Sequence, residues 1–279
     1  STKVKVGWTV ETPDSYTLIR YKTGNDFPSS PTDGYLWCNL SSTYTEYEKT
    51  GLPEATKFNL RAWAYKSGIY SDTYASLTVF TKPGNPSNLD AKNPDLHTID
   101  LSWTRGTGAS YTMVRGKKGS YPTNVVDGYQ VYFSTATFCT DTGLDPDTAY
   151  YYRAWAYYPG GYLYSDGYSE DWIKTLALAL PVVETRPALS ITTDSATIQG
   201  VATAGEEMTK WGFDWGKTDS YGDSYEYSTA LGIDVIFSKD ISDLDADTLY
   251  HFRARAYNAA GWGKSVDATF RTLSLTVVT

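Results

Sequence analysis

The sequence predicts an all-β protein built from three similar modules, and three observations support this prediction. Residues 58–65, 150–157 and 250–257 are near-copies of one segment, and such internal repetition indicates one structural unit used three times. Within the copies, side-chain character alternates with the period of two that marks a β-strand. The 25 Tyr and 9 Trp favour strands, while the 23 Gly and 12 Pro supply turns.

The repeats divide the chain into three modules and a short tail. The first module opens with the alternating residues Val4, Val6 and Trp8, and the second repeats this strand around Trp103. In the third module the tryptophans move to the neighbouring strand, as a core of conserved volume allows. The predicted limits are 1–82, 83–177 and 178–272 for the modules and 273–279 for the tail.

The remaining elements of a module follow the Trp-bearing strand in a fixed order. In the first module a second strand covers 16–22, and a loop rich in Pro, Gly and Ser covers 23–32. An Asp-Gly pair at Asp33 and Gly34 then predicts a tight turn, because glycine accepts the positive φ that such turns need. A corner, the repeated strand and a closing strand at 74–81 complete the module.

The corner before the repeated strand resembles that of fibronectin type III domains. In the second module it consists of Leu144, Pro146 and Thr148, spaced two residues apart and followed by Tyr150. Trp103, on the second strand of its module, stands where the same family places a tryptophan. The resemblance covers all three modules and implies seven-stranded, two-sheet Greek-key sandwiches, also described as immunoglobulin-like.

The resemblance further implies that Tyr150 and Tyr250 use their hydroxyl groups to bond back to the backbone at the corner. Phe58 departs from the pattern, so the first module should be held less tightly there. The first two modules also resemble the variety of this family found in tail and surface proteins of bacterial viruses. This narrower likeness rests on residues 22–24 and 117–119, each followed by a Pro-rich loop and an Asp-Gly pair.

The first module lacks the segment that precedes the Trp-bearing strand in the other two modules. That segment is 86–93 in the second module and 181–189 in the third, whereas only seven residues precede Trp8. We therefore predict that the first sandwich has no N-terminal edge strand. The exposed edge would make Val4, Val6 and Trp8 part of an assembly surface.

Residues 273–279 resemble the junction that leads into the third module. A spare apolar strand fits an unpaired sheet edge, so one hypothesis is that this tail completes the first module of the next copy, head to tail. The alternative is that the chain is a piece of a longer array, which gives the same pattern without a partner. The predicted donor residues are Leu273, Leu275, Val277 and Val278.

Composition and charge exclude several classes of function. A net charge of −8 and a pI near 4.8 disfavour nucleic acid and anionic membranes as partners, and no apolar run is long enough to span a bilayer. Cys38 and Cys139 occupy non-matching positions, so we expect two buried or half-buried thiols, with an intermolecular bond as the alternative. No cofactor is predicted, and the absence of a catalytic constellation predicts that the protein is not an enzyme.

One acidic run matches the start of a calcium-binding loop but not the rest of it. Asp243, Asp245 and Asp247 have the spacing that opens a helix-loop-helix calcium loop. That loop needs Gly at its sixth place and Glu at its twelfth, where Thr248 and Ala254 stand instead. Because Asp also caps turns, we expect these acids to serve the corner.

The outward side of the repeated strand is the best candidate for a binding surface. Adjacent Arg and Trp side chains on a sheet face can stack as cation–π pairs, hold sugar rings or pack on a neighbouring subunit. The alternative is a self-packed ladder that stiffens the sheet. The predicted binding residues are Arg61, Trp63, Tyr65, Arg153, Trp155, Tyr157, Tyr162 and Tyr164.

These observations together predict a non-enzymatic structural or adhesion protein of an extracellular filament, a cell surface or a virion. Its expected partners are other copies of itself or other structural subunits, with a glycan as a further candidate. Two alternatives stay open: carbohydrate-binding modules that use the Trp and Tyr faces, and the spacer region of a larger secreted hydrolase.

Overall fold

The computed structural model describes residues 2–10 and 15–275. The regular elements in these ranges are β-strands, which confirms the predicted all-β fold. The described residues contain no helix that could cross a membrane. The chain forms two compact units, Ser1–Leu176 and Ala177–Thr279, and the first unit holds two of the three sandwiches. The residue limits predicted for the three modules stay a prediction.

The first sandwich consists of a two-stranded sheet and a larger sheet. In the small sheet β1 pairs with β4, and in the large sheet the order is β3-β2-β5-β6, with β7 also on β5. Its core contains Ile19, Trp37 and Phe58. Its strands are β1 (Lys3–Gly7), β2 (Tyr16–Thr23), β3 (Tyr35–Ser41), β4 (Glu46–Thr50), β5 (Lys57–Lys66), β6 (Ile69–Tyr70) and β7 (Ala75–Phe80).

The second sandwich has a three-stranded sheet facing a larger one. Its strands are β8 (Ser87–Lys92), β9 (Thr98–Thr104), β10 (Tyr111–Lys118), β11 (Tyr129–Ser134), β12 (Phe138–Thr142), β13 (Ala149–Tyr158), β14 (Leu163–Tyr164) and β15 (Ser169–Lys174). The sheet orders are β12-β9-β8 and β11-β10-β13-β14, and β15 also pairs with β13. Since β14 and β15 follow one another along β13, together they form the last of the seven strands that the family resemblance implies.

The third sandwich repeats this plan within the second compact unit. Its strands are β16 (Val182–Leu189), β17 (Ala196–Ala204), β18 (Lys210–Gly216), β19 (Asp223–Tyr227), β20 (Ile236–Ile241), β21 (Leu249–Asn258), β22 (Gly261–Lys264) and β23 (Ala268–Arg271). The sheet orders are β16-β17-β20 and β19-β18-β21-β22, with β23 on β21. Phe213, Phe252 and Ile198 are fully buried between the two sheets.

Alternation explains which side chains enter each core. On β9, Ile99, Leu101 and Trp103 are buried, whereas the intervening Asp100 and Ser102 are partly exposed. Successive side chains of a strand point to opposite faces, so one face of the strand supplies the core. The first module keeps this pattern, but β1 ends at Gly7, one residue before the Trp8 that was expected within the strand.

The first sandwich lacks an edge strand, as predicted. In the second module β8 pairs antiparallel with β9, and in the third β16 pairs antiparallel with β17. Among the described residues, β1 has β4 as its partner on one edge and no strand on the other. One edge of β1 therefore carries backbone groups that no neighbouring strand uses.

Glycine is required at the turn that enters the third strand of the first two modules. Gly34 and Gly128 have φ values of +79° and +74°. A Cβ at Gly34 would lie 2.6 Å from the carbonyl oxygen of Tyr21, and one at Gly128 would lie 2.3 Å from that of Gly116. The positive φ expected from the Asp-Gly pair is therefore present, and the backbone approach excludes a side chain as well.

The corner tyrosines adopt the arrangement that the resemblance implies. The backbone N–H of Asp145 donates to the hydroxyl oxygen of Tyr150 at 2.9 Å, and that of Asp245 donates to Tyr250 at 3.0 Å. Phe58 is buried at the same position of the first module and has no hydroxyl to offer. The corner bond therefore stabilises the second and third modules only.

Replacing Tyr150 with Phe should destabilise the second module by about 0.5–1.5 kcal/mol, because the Asp145 N–H loses a part-buried hydrogen bond. The free energy of unfolding, measured by chemical denaturation, tests this. Tyr162→Phe removes a hydroxyl from an exposed ring and is the matched control, with no expected change. Equal stability of the Tyr150→Phe variant and the parent would contradict the role given to the corner.

Candidate functional site

The predicted binding residues of β5 and β13 lie on the face opposite the core, but their tryptophans are not exposed. Trp63 keeps 4% of its surface accessible and Trp155 keeps 5%, so the expectation of exposed indole rings is wrong for both. The reason is a cover of other aromatic rings. Tyr74 lies 5.9 Å from Trp63, and Tyr168 packs edge-on against Trp155 at 5.7 Å, in both cases between ring centroids.

An arginine holds this cover in place in the second module. The guanidinium carbon of Arg153 lies 4.0 Å from the centroid of Tyr168 and 5.1 Å from that of Tyr121. Its Nη1 donates to the carbonyl oxygen of Pro122 at 2.8 Å, and its Nε donates to Glu170 at 2.7 Å. One side chain therefore joins the sheet, the Pro-rich loop and the segment before β15.

The first module has the same clamp. Arg61 lies between Tyr74, at 4.0 Å, and Phe27, at 5.4 Å, and its Nη1 donates to the carbonyl oxygen of Pro28 at 2.8 Å. The predicted cation–π contacts are thus present, but their aromatic partners are rings from loops and not the neighbouring Trp63. This arrangement favours the self-packed alternative for the repeated face.

The Pro-rich loops are also held from within by one aspartate each. Asp33 accepts hydrogen bonds from the backbone N–H and the hydroxyl of Ser29 and pairs with Lys22 at 2.7 Å. The bond from Lys22 is the main cause that holds the pKa of Asp33 well below its ordinary value. In the second module the backbone N–H of Thr123 is the main cause that lowers the pKa of Asp127.

The predicted tyrosines are only partly brought together. Tyr157 and Tyr164 pack at 4.8 Å between centroids, and the ladder continues from Tyr157 to Tyr111 and Phe133. The first module has a shorter ladder, in which Tyr65 contacts Tyr16 and Tyr70. The ring of Tyr162 is exposed, with 83% of its surface accessible, and stands at a turn with φ 56°.

Trp172 is an exposed aromatic that the repeat did not reveal. Half of its surface, 51%, is accessible, and its ring stacks on Tyr151 at 5.5 Å with an interplanar angle of 16°. Tyr121 in turn packs edge-on against Tyr151, at 4.9 Å between ring centroids. At the register of the Tyr151–Trp172 pair the first module has Asn59 and Thr78. Because the position does not repeat, a comparison of the copies could not find it. The alternation of the strand could have placed Trp172 on the outer face, since its neighbour Ile173 points inward.

A groove of about 710 Å³ opens in the first module beside β1. Its walls combine apolar side chains with hydroxyl-bearing ones, and no charged side chain of the described residues lines it. The lining includes Val6, Trp8, Leu77, Thr17, Ser71 and Ser76. Val6 and Trp8 are two of the predicted assembly residues. The third, Val4, packs against the core.

The second module shows what belongs in this place. There Leu89 and Ala91 of β8 are buried in the core, and their backbone N–H groups donate to Ser169 Oγ and Asp171 Oδ2 of β15 at 2.9 and 2.8 Å. β8 covers the core along the edge of β15. The groove of the first module therefore lies in the place that β8 fills in the second module.

The predicted donor residues lie in the second compact unit and its tail. Leu273 is tied to its own module, since its N–H donates to the carbonyl oxygen of Thr192 at 2.8 Å. Leu273 and Leu275 are exposed. Val277 and Val278 lie outside the described residues.

Two aspartates of the acidic run at the third corner form ion pairs with basic side chains. Asp245 pairs with Lys217, and Asp247 pairs with Arg271 at 3.3 Å. Within residues 2–10 and 15–275, no group of three or more His, Cys, Asp and Glu side chains could hold a metal ion.

Known proteins resemble this chain only in part. No protein-family model matches the sequence. It is 26% identical over its full length to exoglucanase B of Cellulomonas fimi and 24% identical, over 92% of its length, to the receptor-type tyrosine-protein phosphatase eta of Gallus gallus. The chain spans 24% and 16% of the lengths of these two relatives.

Two solved structures are also similar. The FN1–FN3 domains of chicken CNTN1 match 98% of this chain and 95% of theirs, at 14% identity and a TM-score of 0.32. The sensor domain of the anti-sigma factor RsgI4 of Pseudobacteroides cellulosolvens matches 36% of this chain and 100% of its own, at 22% identity and a TM-score of 0.28.

The chain is a tandem of β-sandwiches that resemble fibronectin type III domains. The Greek-key sheets and the corner tyrosines support this statement.

The second fibronectin type III-like sandwich contains a buried carboxyl. Asp141 accepts hydrogen bonds from the hydroxyl groups of Tyr129 at 2.6 Å and Tyr152 at 2.9 Å. Burial raises the pKa of Asp141, although the two hydroxyl bonds oppose the shift. The charged form of Asp141 is therefore a cost to the folded state at neutral pH, and the tyrosines reduce it.

The thiols of the tandem are free and shielded. Cys38 is buried and Cys139 is half-buried, as expected. Burial raises the pKa of Cys38 to about 11 and that of Cys139 to about 12, so both thiols stay neutral at pH 7.

Asp141→Asn should be at least as stable as the parent at pH 7, because the variant carries no buried charge. A carboxyl whose pKa is raised in the folded state costs stability above that pKa, and the cost vanishes as the pH falls below its ordinary range. As the pH falls from 7 to 3, the stability of the parent should therefore rise relative to that of the variant. The free energy of unfolding of both proteins measures this.

Asp100→Asn is the matched control of opposite sign. The hydrogen bond from Thr140 lowers the pKa of Asp100, so the parent's advantage over this variant should be present at pH 7 and lost as the pH falls. A parallel pH dependence of the two variants would contradict this account of Asp141.

Proposed function

We propose that this chain is a non-enzymatic structural spacer and adhesion element of an extracellular or cell-surface protein. The observation that carries the proposal is the joint between its first two modules. These modules lie in one compact unit. A spacer must transmit a fixed distance or direction, and a close-packed joint gives it the means to do so.

Backbone contacts and small residues build this joint. The N–H of Gly84 donates to the carbonyl oxygen of Thr107 at 2.9 Å. A Cβ at Gly106 would lie 1.9 Å from the carbonyl oxygen of Gly84, and one at Gly108 would lie 2.5 Å from the Cβ of Ala55. The linker at Gly84 and the first module at Ala55 therefore approach the second module at distances that exclude side chains at Gly106 and Gly108.

Side chains add a second layer to the joint. Lys82 of the first module forms an ion pair with Asp166 of the second, and Asn85, just after the linker, accepts a hydrogen bond from the N–H of Gly167 at 2.8 Å. Phe80 packs on Tyr158 at 6.3 Å between centroids. The exposed ion pair contributes little by itself, so the packing of Phe80 and the glycines should dominate.

The two relatives fit this role. An exoglucanase and a receptor-type phosphatase have different activities by name, and this chain matches only a minor part of each. A sequence shared by such different proteins is more easily explained as a spacer or adhesion region than as a catalytic domain. A filament or a virion, the other locations predicted from the sequence, would use the same property.

Gly106→Val should loosen the joint and cost about 1–3 kcal/mol of stability, because its side chain must displace the backbone at Gly84. Nitroxide labels at the exposed residues Tyr44 and Val126, in a background with both cysteines replaced by alanine, report the distance between the first two modules. The parent should give a narrow distance distribution and the variant a broad one.

Gly222→Ala is the control, because a Cβ there meets nothing within 4 Å. It should leave the distribution narrow. A parent distribution as broad as that of Gly106→Val would contradict a fixed joint and with it the spacer proposal.

A second candidate function is the binding of a β-glucan at Trp172. The half-exposed ring stacked on Tyr151 offers a flat apolar face at the edge of the sheet, and Glu170 and Lys174 lie on the same side of β15. Sugar rings pack on such aromatic faces while nearby polar groups bond their hydroxyls. Similarity to an exoglucanase favours a glucan over other glycans.

Trp172→Ala should weaken binding to microcrystalline cellulose or soluble β-glucan about tenfold or more, as measured by pull-down and affinity electrophoresis. Tyr162→Ala, which removes a more exposed ring, is the control and should bind like the parent. Trp155→Ala is unsuitable, because loss of a buried Trp costs about 3–5 kcal/mol. Unchanged binding by Trp172→Ala would rule out this site.

A further inference from the structure

We propose that the groove beside β1 receives the tail of a second copy of this chain, residues 274–279, as the missing first strand of its first module. The inference builds on the proposed structural role and adds to it a way in which copies of the chain assemble. Its support is the comparison of the three modules within one chain, the chemistry of the groove and the anchoring of the tail.

The other modules define the geometry of the occupant. In the second module Ala91 of β8 lies opposite Leu101 of β9, and the two strands run antiparallel. Leu101 corresponds to Val6, so an occupant should run antiparallel to β1 with one apolar side chain opposite Val6. A second apolar side chain, two residues earlier, should take the place of Leu89 near Trp8. The occupant is therefore an extended strand with apolar residues at alternate positions.

The groove differs from its counterpart in two side chains of its edge strand. The strand register places Ala75 and Leu77 where the second module has Ser169 and Asp171. The acceptors that hold β8 are therefore replaced by apolar side chains, and 44% of the surface of Leu77 is left accessible. An occupant of the groove therefore packs on Leu77 and lacks the two backbone bonds that β15 accepts from β8.

The tail has the matching composition. Residues 274–279 consist of Ser, Leu, Thr and Val and carry no charged side chain. Leu275 and Val277 are spaced as Leu89 and Ala91 are, so Leu275 would lie near Trp8 and Val277 opposite Val6.

The start of the tail is anchored like the start of a known first strand. Leu176 donates its N–H to Asp95 and accepts one from Asp147, and the chain then continues into β16, the first strand of the third module. Leu273 makes the equivalent bonds, donating to Thr192 and accepting from Asp247. Three-quarters of the surface of Leu275, 75%, is accessible. The tail therefore leaves its own module at the point where a first strand is supplied to a following one.

Such an exchange joins unlike surfaces, the tail of one copy and the first module of the next. Heterologous contacts of this kind continue from copy to copy unless the chain closes into a ring. Each added copy would present a new groove at one end and a new tail at the other. The product is a head-to-tail series of sandwiches.

The test uses three variants of the full chain. Association is followed by sedimentation at protein concentrations up to about 1 mM, so that dissociation constants in the millimolar range are detected. Leu77→Lys puts a charge into the groove, and Val277→Lys puts one into the tail. The parent should associate with increasing concentration, and each variant alone should associate at least about tenfold more weakly. Val266→Lys changes a residue that is 82% exposed elsewhere and should behave like the parent.

A mixture of the Leu77→Lys and Val277→Lys chains decides the direction of assembly. The first chain keeps an intact tail and the second an intact groove, so the mixture should form a 1:1 complex that grows no further. A circular dichroism melt of each variant alone verifies that both remain folded.

Three results would overturn the proposal: a parent that is monomeric throughout, association that persists in Leu77→Lys, and association that persists in Val277→Lys. The last result would assign the groove to another strand. A monomeric parent with a narrow distance distribution between its first two modules would overturn strand exchange and leave the spacer role intact.

Discussion

A strand in a β-sandwich needs a neighbour on each edge or a cover for its unpaired backbone, and this constraint sets the first module apart. In the second and third modules β8 and β16 satisfy it, and their apolar side chains close the core. Beside β1 the same place is a groove lined by both apolar and hydroxyl-bearing side chains, with no charged side chain among the described residues. The replacement of Ser169 and Asp171 by Ala75 and Leu77 at this edge shows that the groove has its own chemistry and is not simply a vacant copy. The proposed exchange of strands follows from that chemistry.

A second constraint acts on the outer faces of the sheets. Arg61 and Arg153 each lie between two aromatic rings and bond a proline carbonyl, so they fasten the Pro-rich loop over the repeated strand. The loop aspartates, Asp33 and Asp127, stiffen the same loops from inside. Together these contacts explain why the loop and the strand recur as a pair: each is the other's cover. They make the faces stiff, which suits a spacer, and they remove Trp63 and Trp155 from solvent.

Much of the fold could be predicted because it depends on local patterns. Alternation identified the core side of β9, and the resemblance of the corner to fibronectin type III domains implied the bond to Tyr150. The burial of Trp155 could not be predicted in the same way, since it depends on Tyr168, a residue outside the repeated strand that folds back over the sheet. Trp172 was missed for a different reason. Repetition draws attention to what modules share, whereas a binding residue can be the one that only a single module has.

The central claim is that the free edge of β1 is a receiving site for a strand, and hydrogen exchange measures that edge directly. Backbone amides that pair with an added strand exchange slowly, whereas amides on an open edge exchange fast. Exchange followed by mass spectrometry on a peptide that covers Lys3–Gly7 should slow as the concentration of the parent chain rises. The peptide that covers Thr98–Thr104, whose strand has its own neighbour, should be protected at every concentration. Exchange of the β1 peptide that is fast and independent of concentration would contradict the account.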